Sequence, residues 1–142
     1  MIGAEGGGKS DRRLAQRLSN FHRAFDRFEQ GVKDALQDGK LSELEQEGLI
    51  QRFEVCLELA WKCLQDLLHE RGYTDVVGPR PVVERAFRDG IITDGPLWMQ
   101  MLQARNQMAH LYDEAIFRDV LNLVRGSFAR ALAEFSVRAK AW

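Results

Sequence analysis

Apolar positions recur along the chain at intervals of three and four, the period of an amphipathic helix, and no stretch alternates as a half-buried strand would. In the first segment Leu14, Leu18, Phe21, Phe25, Phe28, Val32 and Leu36 form one stripe, which ends before Gly39. Ser42-Glu43-Leu44-Glu45 then has the form of a capping box. It predicts a second helix that carries Leu49, Phe53, Ala60, Trp61, Leu64 and Leu68 inward and stops at Arg71-Gly72. Residues 73–81, with two prolines and a glycine, read as the main loop. A short third helix is expected from Pro81 to Asp89, ended by Gly90. Asp94-Gly95-Pro96 opens a fourth, with Pro96 in the first turn, where its missing N–H costs nothing. Leu97, Met101, Leu102 and Met108 are its expected inner face. A fifth helix begins near Asp113 and uses Ile116, Val120, Leu123, Val124, Phe128, Leu132 and Phe135. The fold class that follows is all-α, an antiparallel four-helix bundle with one additional short helix. The bundle is expected over residues 12–142, preceded by a flexible Gly-rich tail, residues 1–11.

Within that tail, Gly3-Ala4-Glu5-Gly6-Gly7-Gly8-Lys9-Ser10 matches a phosphate-binding loop letter by letter. Such a loop works only when an apolar strand delivers it to a helix N-terminus. With only Met1 and Ile2 before it and no strand to deliver it, the expected reading is a flexible Gly-rich tail leading into the first helix.

Composition narrows the picture. The chain has 142 residues, 45% of them hydrophobic and 29% charged, which suits one globular domain. No apolar run approaches the roughly 20 residues of a membrane span, and the N-terminus lacks a secretory layout. The expected location is cytoplasmic. Twenty basic and 21 acidic residues leave a net charge of −1, which argues against a general nucleic-acid coat. The charge is uneven, with eight acids and three bases in 41–77 but nine bases and seven acids in 78–142. A local basic groove near Arg105 is compatible with that balance. Cys56 and Cys63 are the only cysteines. Seven residues apart on one helix, they stand about 10.5 Å apart along its axis, too far to bond to each other, and they read as buried thiols. Neither has a His or Cys at metal-ligand spacing. Nothing calls for a metal or another cofactor.

The chemistry-bearing segment is Arg105-Asn106-Gln107-Met108-Ala109-His110-Leu111-Tyr112. Arg offers a permanent planar charge for phosphate oxygens, His a proton carrier near neutral pH, and Tyr a hydroxyl. Asp113-Glu114 follow at once, with a carboxylate available to orient the imidazole. On a regular helix Arg105 and His110 would stand about 140° apart, whereas Asn106 shares a face with His110, and Arg105 with Tyr112. Two arrangements could still unite them. Either the helix loosens around His110, or a second copy completes the site. On Trp61 and Lys62 the readings also stay open: a base-stacking ring against a core Trp, a phosphate contact against a solvated charge. His22 and His69 lie outside the segment and take no catalytic part.

Arg-x4-His-x-Tyr, with Asn after the Arg, resembles the signature of HEPN domains. More closely, the chain resembles the bacterial nucleotidyltransferase substrate-binding protein family, small helical partners of minimal nucleotidyltransferases. Gln51-Arg52-Phe53-Glu54 with Glu58-Leu59-Ala60-Trp61-Lys62 is similar to that family's second helix. Pro81-Val82-Val83-Glu84-Arg85-Ala86-Phe87, Gly90-Ile91-Ile92 and Leu97-Trp98 resemble its middle segment in the same order. Ala109 departs from the pattern, where the family has Ser or Thr before the His.

The resemblance implies a homodimer working with a separately encoded nucleotidyltransferase in a two-gene toxin–antitoxin-type module. The expected activity is that of a metal-independent endoribonuclease. His110 would exchange protons, Arg105 would stabilise charge on the phosphate, and Asn106, Tyr112, Trp61 and Lys62 would contact RNA or nucleotide. Tyr112 would also be the hydroxyl that the partner modifies with AMP. The competing reading is a non-catalytic subunit that presents a nucleotide or other substrate to the transferase. The blandest is a helical dimerisation partner with no small ligand.

Overall fold

A computed structural model describes the backbone of residues 2–38 and 40–142, and side chains over 12–37 and 40–142. The segment expected as a flexible tail, with its phosphate-loop lookalike, lies outside the described side chains.

The periodicity becomes six α-helices: α1 (Ile2–Asp38), α2 (Glu43–Glu70), α3 (Pro79–Arg88), α4 (Gly95–Asn106), α5 (Glu114–Arg125) and α6 (Ser127–Ala139). A 3-10 turn (Met108–His110) separates α4 from α5. Among the described residues there is no strand. The all-α bundle expected from the sequence is what the chain forms.

Local chemistry sets the boundaries. The Ser42 hydroxyl accepts from the Glu45 amide at 3.1 Å, and the Glu45 carboxylate accepts from the Ser42 amide at 3.0 Å. Two orphan donors at the start of α2 are thereby satisfied. At its end Gly72, at φ +99°, lets the Gly72 and Tyr73 amides turn back to the carbonyls of His69 and Leu68. That reversal needs a left-handed residue, which Gly supplies without a Cβ penalty. Helix α3 starts two residues earlier than expected because Pro79, not Pro81, takes its first position. The expected fifth helix is broken in two. Gly126 has ψ −103°, off the helical region, and its amide bonds to Leu123 three residues back.

Helices α1 and α2 pair antiparallel: Arg17 meets Asp66, and the Arg52 guanidinium reaches the Arg27 carbonyl. Along α1 the buried stripe is Leu14, Leu18, Phe21, Phe25, Phe28, Val32 and Ala35. It ends on Ala35 rather than Leu36, which is 67% exposed, because three residues after Val32 keeps the inward face better than four. The core centres on aromatic rings. Phe53 of α2 stacks on Phe128 of α6 at 5.2 Å, and Phe21 of α1 meets Phe135 edge-on at 4.9 Å. On α4 the inward indole is Trp98, with Leu97 only partly buried, and on α5 Leu121 is buried where Leu123 was expected. Of the other expected inward residues, Met101, Leu102, Val120 and Val124 are buried. Cys56 and Cys63 are free and fully buried. Burial pushes both thiols up, Cys63 to about 12 with the Asp66 carboxylate adding to it. No described helix is long and apolar enough to cross a membrane.

Candidate functional site

The site begins with one carboxylate on α2. Glu58 Oε2 accepts from the Trp61 indole N–H at 2.9 Å, and Glu58 Oε1 pairs with Arg105 Nε at 2.8 Å. Glu58 thus braces a core ring and the first residue of the Arg-x4-His-x-Tyr motif. Arg105 sits in the last turn of α4, and its side chain and that of Glu58 keep 33% and 29% of their surface. Binding through Nε uses one edge of the guanidinium. The terminal N–H groups remain as a fork for phosphate oxygens.

Trp61 itself is only 9% exposed, belongs to the core, and has its N–H committed to Glu58. Of the two readings left open for Trp61, its burial and its bond to Glu58 fit the core ring. Lys62 is half-buried, with Nζ 5.9 Å from the Trp61 ring centre, within reach of a cation–π contact.

Beyond Arg105 the helix ends. Helix α4 stops at Asn106, Gln107 caps it, and the chain tightens into the 3-10 turn over Met108–His110. Of the two arrangements left open by the sequence, loosening around His110 does occur. Among the described residues no hydrogen bond or ion pair joins Arg105 and His110; Arg105 pairs with Glu58, and the His110 ring neighbours Tyr112. The exposed His110 ring lies 6.5 Å from that of Tyr112, and Tyr112 is 85% exposed. The neighbouring carboxylate does not orient the imidazole either. Asp113 Oδ1 accepts from the Ala115 and Ile116 amides and caps α5, where orphan N–H groups require it.

Two hollows flank the motif. Arg105 and Asn106 line one of 420 Å³ together with Arg80 and Gln103. Tyr112 lines another of 990 Å³ between the start of α2 and α5, with Glu43, Glu47, Phe117 and Arg118. Asn106 therefore accompanies Arg105 rather than His110, since the helix that would align 106 with 110 has ended. Sequence reasoning named Glu58 without a partner and missed Arg80. Only the Glu58-x-x-Trp61 spacing hinted at the first, and nothing local signals the second. Among the described residues no group of three or more His, Cys, Asp or Glu side chains could hold a metal ion.

Residues 16–141 match the family described as nucleotidyltransferase substrate binding protein like. The chain belongs to that family, and a HEPN-type helical bundle fits it. Among solved structures it is similar to a protein from Thermus thermophilus whose crystal structure is known, with 26% identity and a TM-score of 0.66. That similarity covers 80% of this chain and 98% of the other. No curated protein matches the chain.

Proposed function

We propose that the chain is the HEPN-type partner of a minimal nucleotidyltransferase in a toxin–antitoxin-like module, and that as a homodimer it cleaves RNA without a metal. The observation that carries this reading is the motif's local build. A guanidinium braced by Glu58 is followed directly by a turn that exposes His110 and Tyr112. Cleavage requires one group to take the 2′-hydroxyl proton as the 2′ oxygen bonds to phosphorus, and another to protonate the departing 5′ oxygen. One protomer has one motif His. A two-fold dimer offers two, and brings an Arg105 from one copy toward the His110 of the other. Arg105 then stabilises charge on the non-bridging oxygens, Asn106 beside it contacts the phosphate, and Lys62 adds a further cation.

Tyr112 is the hydroxyl we assign to the partner's control. Its oxygen attacks the α-phosphorus of ATP, pyrophosphate leaves, and the phenolic proton passes to a base of the transferase. The resulting anion beside His110 closes the cleft by bulk and charge.

The test is expression of wild type, Arg105→Ala and His110→Ala without the partner, scored by growth arrest and by cleavage of labelled RNA in EDTA. Wild type alone should cut, and both variants should lose at least about 100-fold. Mass spectrometry after co-expression should find AMP on Tyr112; an unmodified peptide beside an active transferase would remove that step. A second reading, a non-catalytic subunit presenting nucleotide to the transferase, draws support from the separate hollows of Arg105 and Tyr112. Three inert proteins, with nucleotide binding lost only in the variants, would decide for it.

A further inference from the structure

The outer groove between α1 and α2 is lined by three arginines and by no carboxylate. Arg23 and Arg27 of α1 and Arg52 of α2 line a hollow of 640 Å³ there. None of the three groove arginines takes part in the ion pairs formed by Arg17, Lys33, Arg80, Arg85, Arg105 and Arg138. Their polar contacts are neutral: Arg23 donates to Asn20 Oδ1 at 2.7 Å, and Arg52 to the Arg27 carbonyl at 2.9 Å. In a chain of net charge −1 with 21 acidic residues, three guanidiniums in one groove without a carboxylate are a concentrated exception. The floor between them is apolar, with Val55, 46% exposed, and Leu59.

We propose that this groove binds the phosphodiester backbone of single-stranded RNA, its phosphates on the three arginines and its sugars or bases against Val55 and Leu59. The proposal rests on RNA being the substrate in the reading above. Three features select this occupant. Arg23 and Arg27 are one turn apart, about 6 Å along the axis, which is of the order of the step between successive phosphates in an extended strand. No carboxylate lines the hollow, so a polyanion enters it without meeting like charge. A second copy of this chain seated here across a two-fold axis would face three guanidiniums with three more, so like charges oppose that occupant. The groove also has a direction. Arg52, Val55, Leu59 and Lys62 follow one another at three- and four-residue steps on α2, a single stripe. That stripe ends beside Trp61 and Glu58, where Arg105 is anchored. A strand laid in the groove is thereby led toward the motif.

The experiment measures binding apart from cleavage. In the full chain with His110→Ala, which prevents cutting, fluorescence anisotropy follows a fluorescein-labelled oligouridylate of about 12 nucleotides across a salt series. Arg23→Gln with Arg27→Gln keeps Arg52 on its carbonyl, and Val55→Glu places a carboxylate in the floor. Thermal unfolding confirms that each variant is folded. Both variants should weaken binding by about tenfold or more, and the double variant should flatten the log–log salt slope by about 1.4, some 0.7 for each lost phosphate contact. Unchanged affinity and slope in folded variants would overturn the proposal, as would a parent protein that leaves the oligonucleotide free. Groove variants that keep RNA but no longer hold the co-expressed nucleotidyltransferase would also overturn it, in favour of an acidic protein surface. Groove-dependent binding with no cleavage by wild type leaves the groove standing and removes the nuclease. Cleavage with groove-independent binding does the reverse.

Discussion

Glu58 makes contacts that differ in what they demand. The Trp61 N–H is buried, so losing its acceptor leaves a dry donor, a cost of about 1–3 kcal/mol. The Arg105 contact is a third exposed, and water screens it, so its worth lies in aiming the fork rather than in stability. Glu58→Ala should therefore lower unfolding free energy by about 1–2 kcal/mol in urea, while Glu58→Gln, which keeps an acceptor for the indole, should cost less. Both should reduce RNA cleavage by about tenfold, the effect of a misplaced transition-state donor being at least that size. A Glu58→Gln protein of full activity would show that Arg105 needs no brace. At this scale the sequence revealed the residues but not their pairing. Arg105, His110 and Tyr112 stand out as types within one short segment, and Glu58 within its own. The bond between Glu58 and Arg105 joins α2 to α4 and leaves no local trace.

Elements were most legible where a terminus is written in side chains. Ser42 and Glu45 mark the start of α2, and Ser42→Ala should cost about 1 kcal/mol, read as a lower denaturation midpoint at unchanged slope. No shift in midpoint would mean that water serves the Glu45 amide equally well. The break at Gly126 was not legible. The apolar spacing from Ile116 to Phe135 continues across it, so a stripe alone reports one helix where the backbone makes two. The end of α4 is the instructive case. Arg105 through Tyr112 contains no Gly or Pro, yet the chain leaves the α-helix at Asn106, and Asp113 caps the next one. The loosening around His110 that the sequence left open is what the backbone makes, so the separation of about 140° on a regular helix does not carry across the turn.

For the whole molecule, helix pairing sets where titration and charge affect stability. Asp66 is buried against Arg17 at 2.9 Å. Arg17→Ala would strand that carboxylate in the core and should cost about 2–3 kcal/mol, the low end for a broken buried pair because Arg17 is partly exposed. His22 provides a sharper handle, since it faces α6 across the bundle. Its Nδ1 lies 3.5 Å from the buried Ser136 hydroxyl, and its ring meets Phe21 at 5.4 Å. Burial first, then the Lys140 ammonium, lowers its pKa from the ordinary 6.5, against a smaller upward pull from Asp26. Between the lowered value and 6.5 the unfolded chain binds more protons than the native one, so stability rises with pH across that window. The stability tied to a neutral His22 is complete above 6.5 and drains away as pH falls through the lowered value. His22→Gln keeps a side chain able to meet Ser136 and removes the titration. Comparing thermal midpoints of the two proteins from about pH 7.5 to about pH 5 isolates the effect, since the shared carboxylates cancel. The wild-type midpoint should lose ground to the variant steadily below 6.5 and hold a constant offset above it. An offset that stays flat through the acid range, or that moves toward the wild type, would mean that α6 does not disfavour the charged imidazole, and that the packing of α1 on α6 leaves that ring in water.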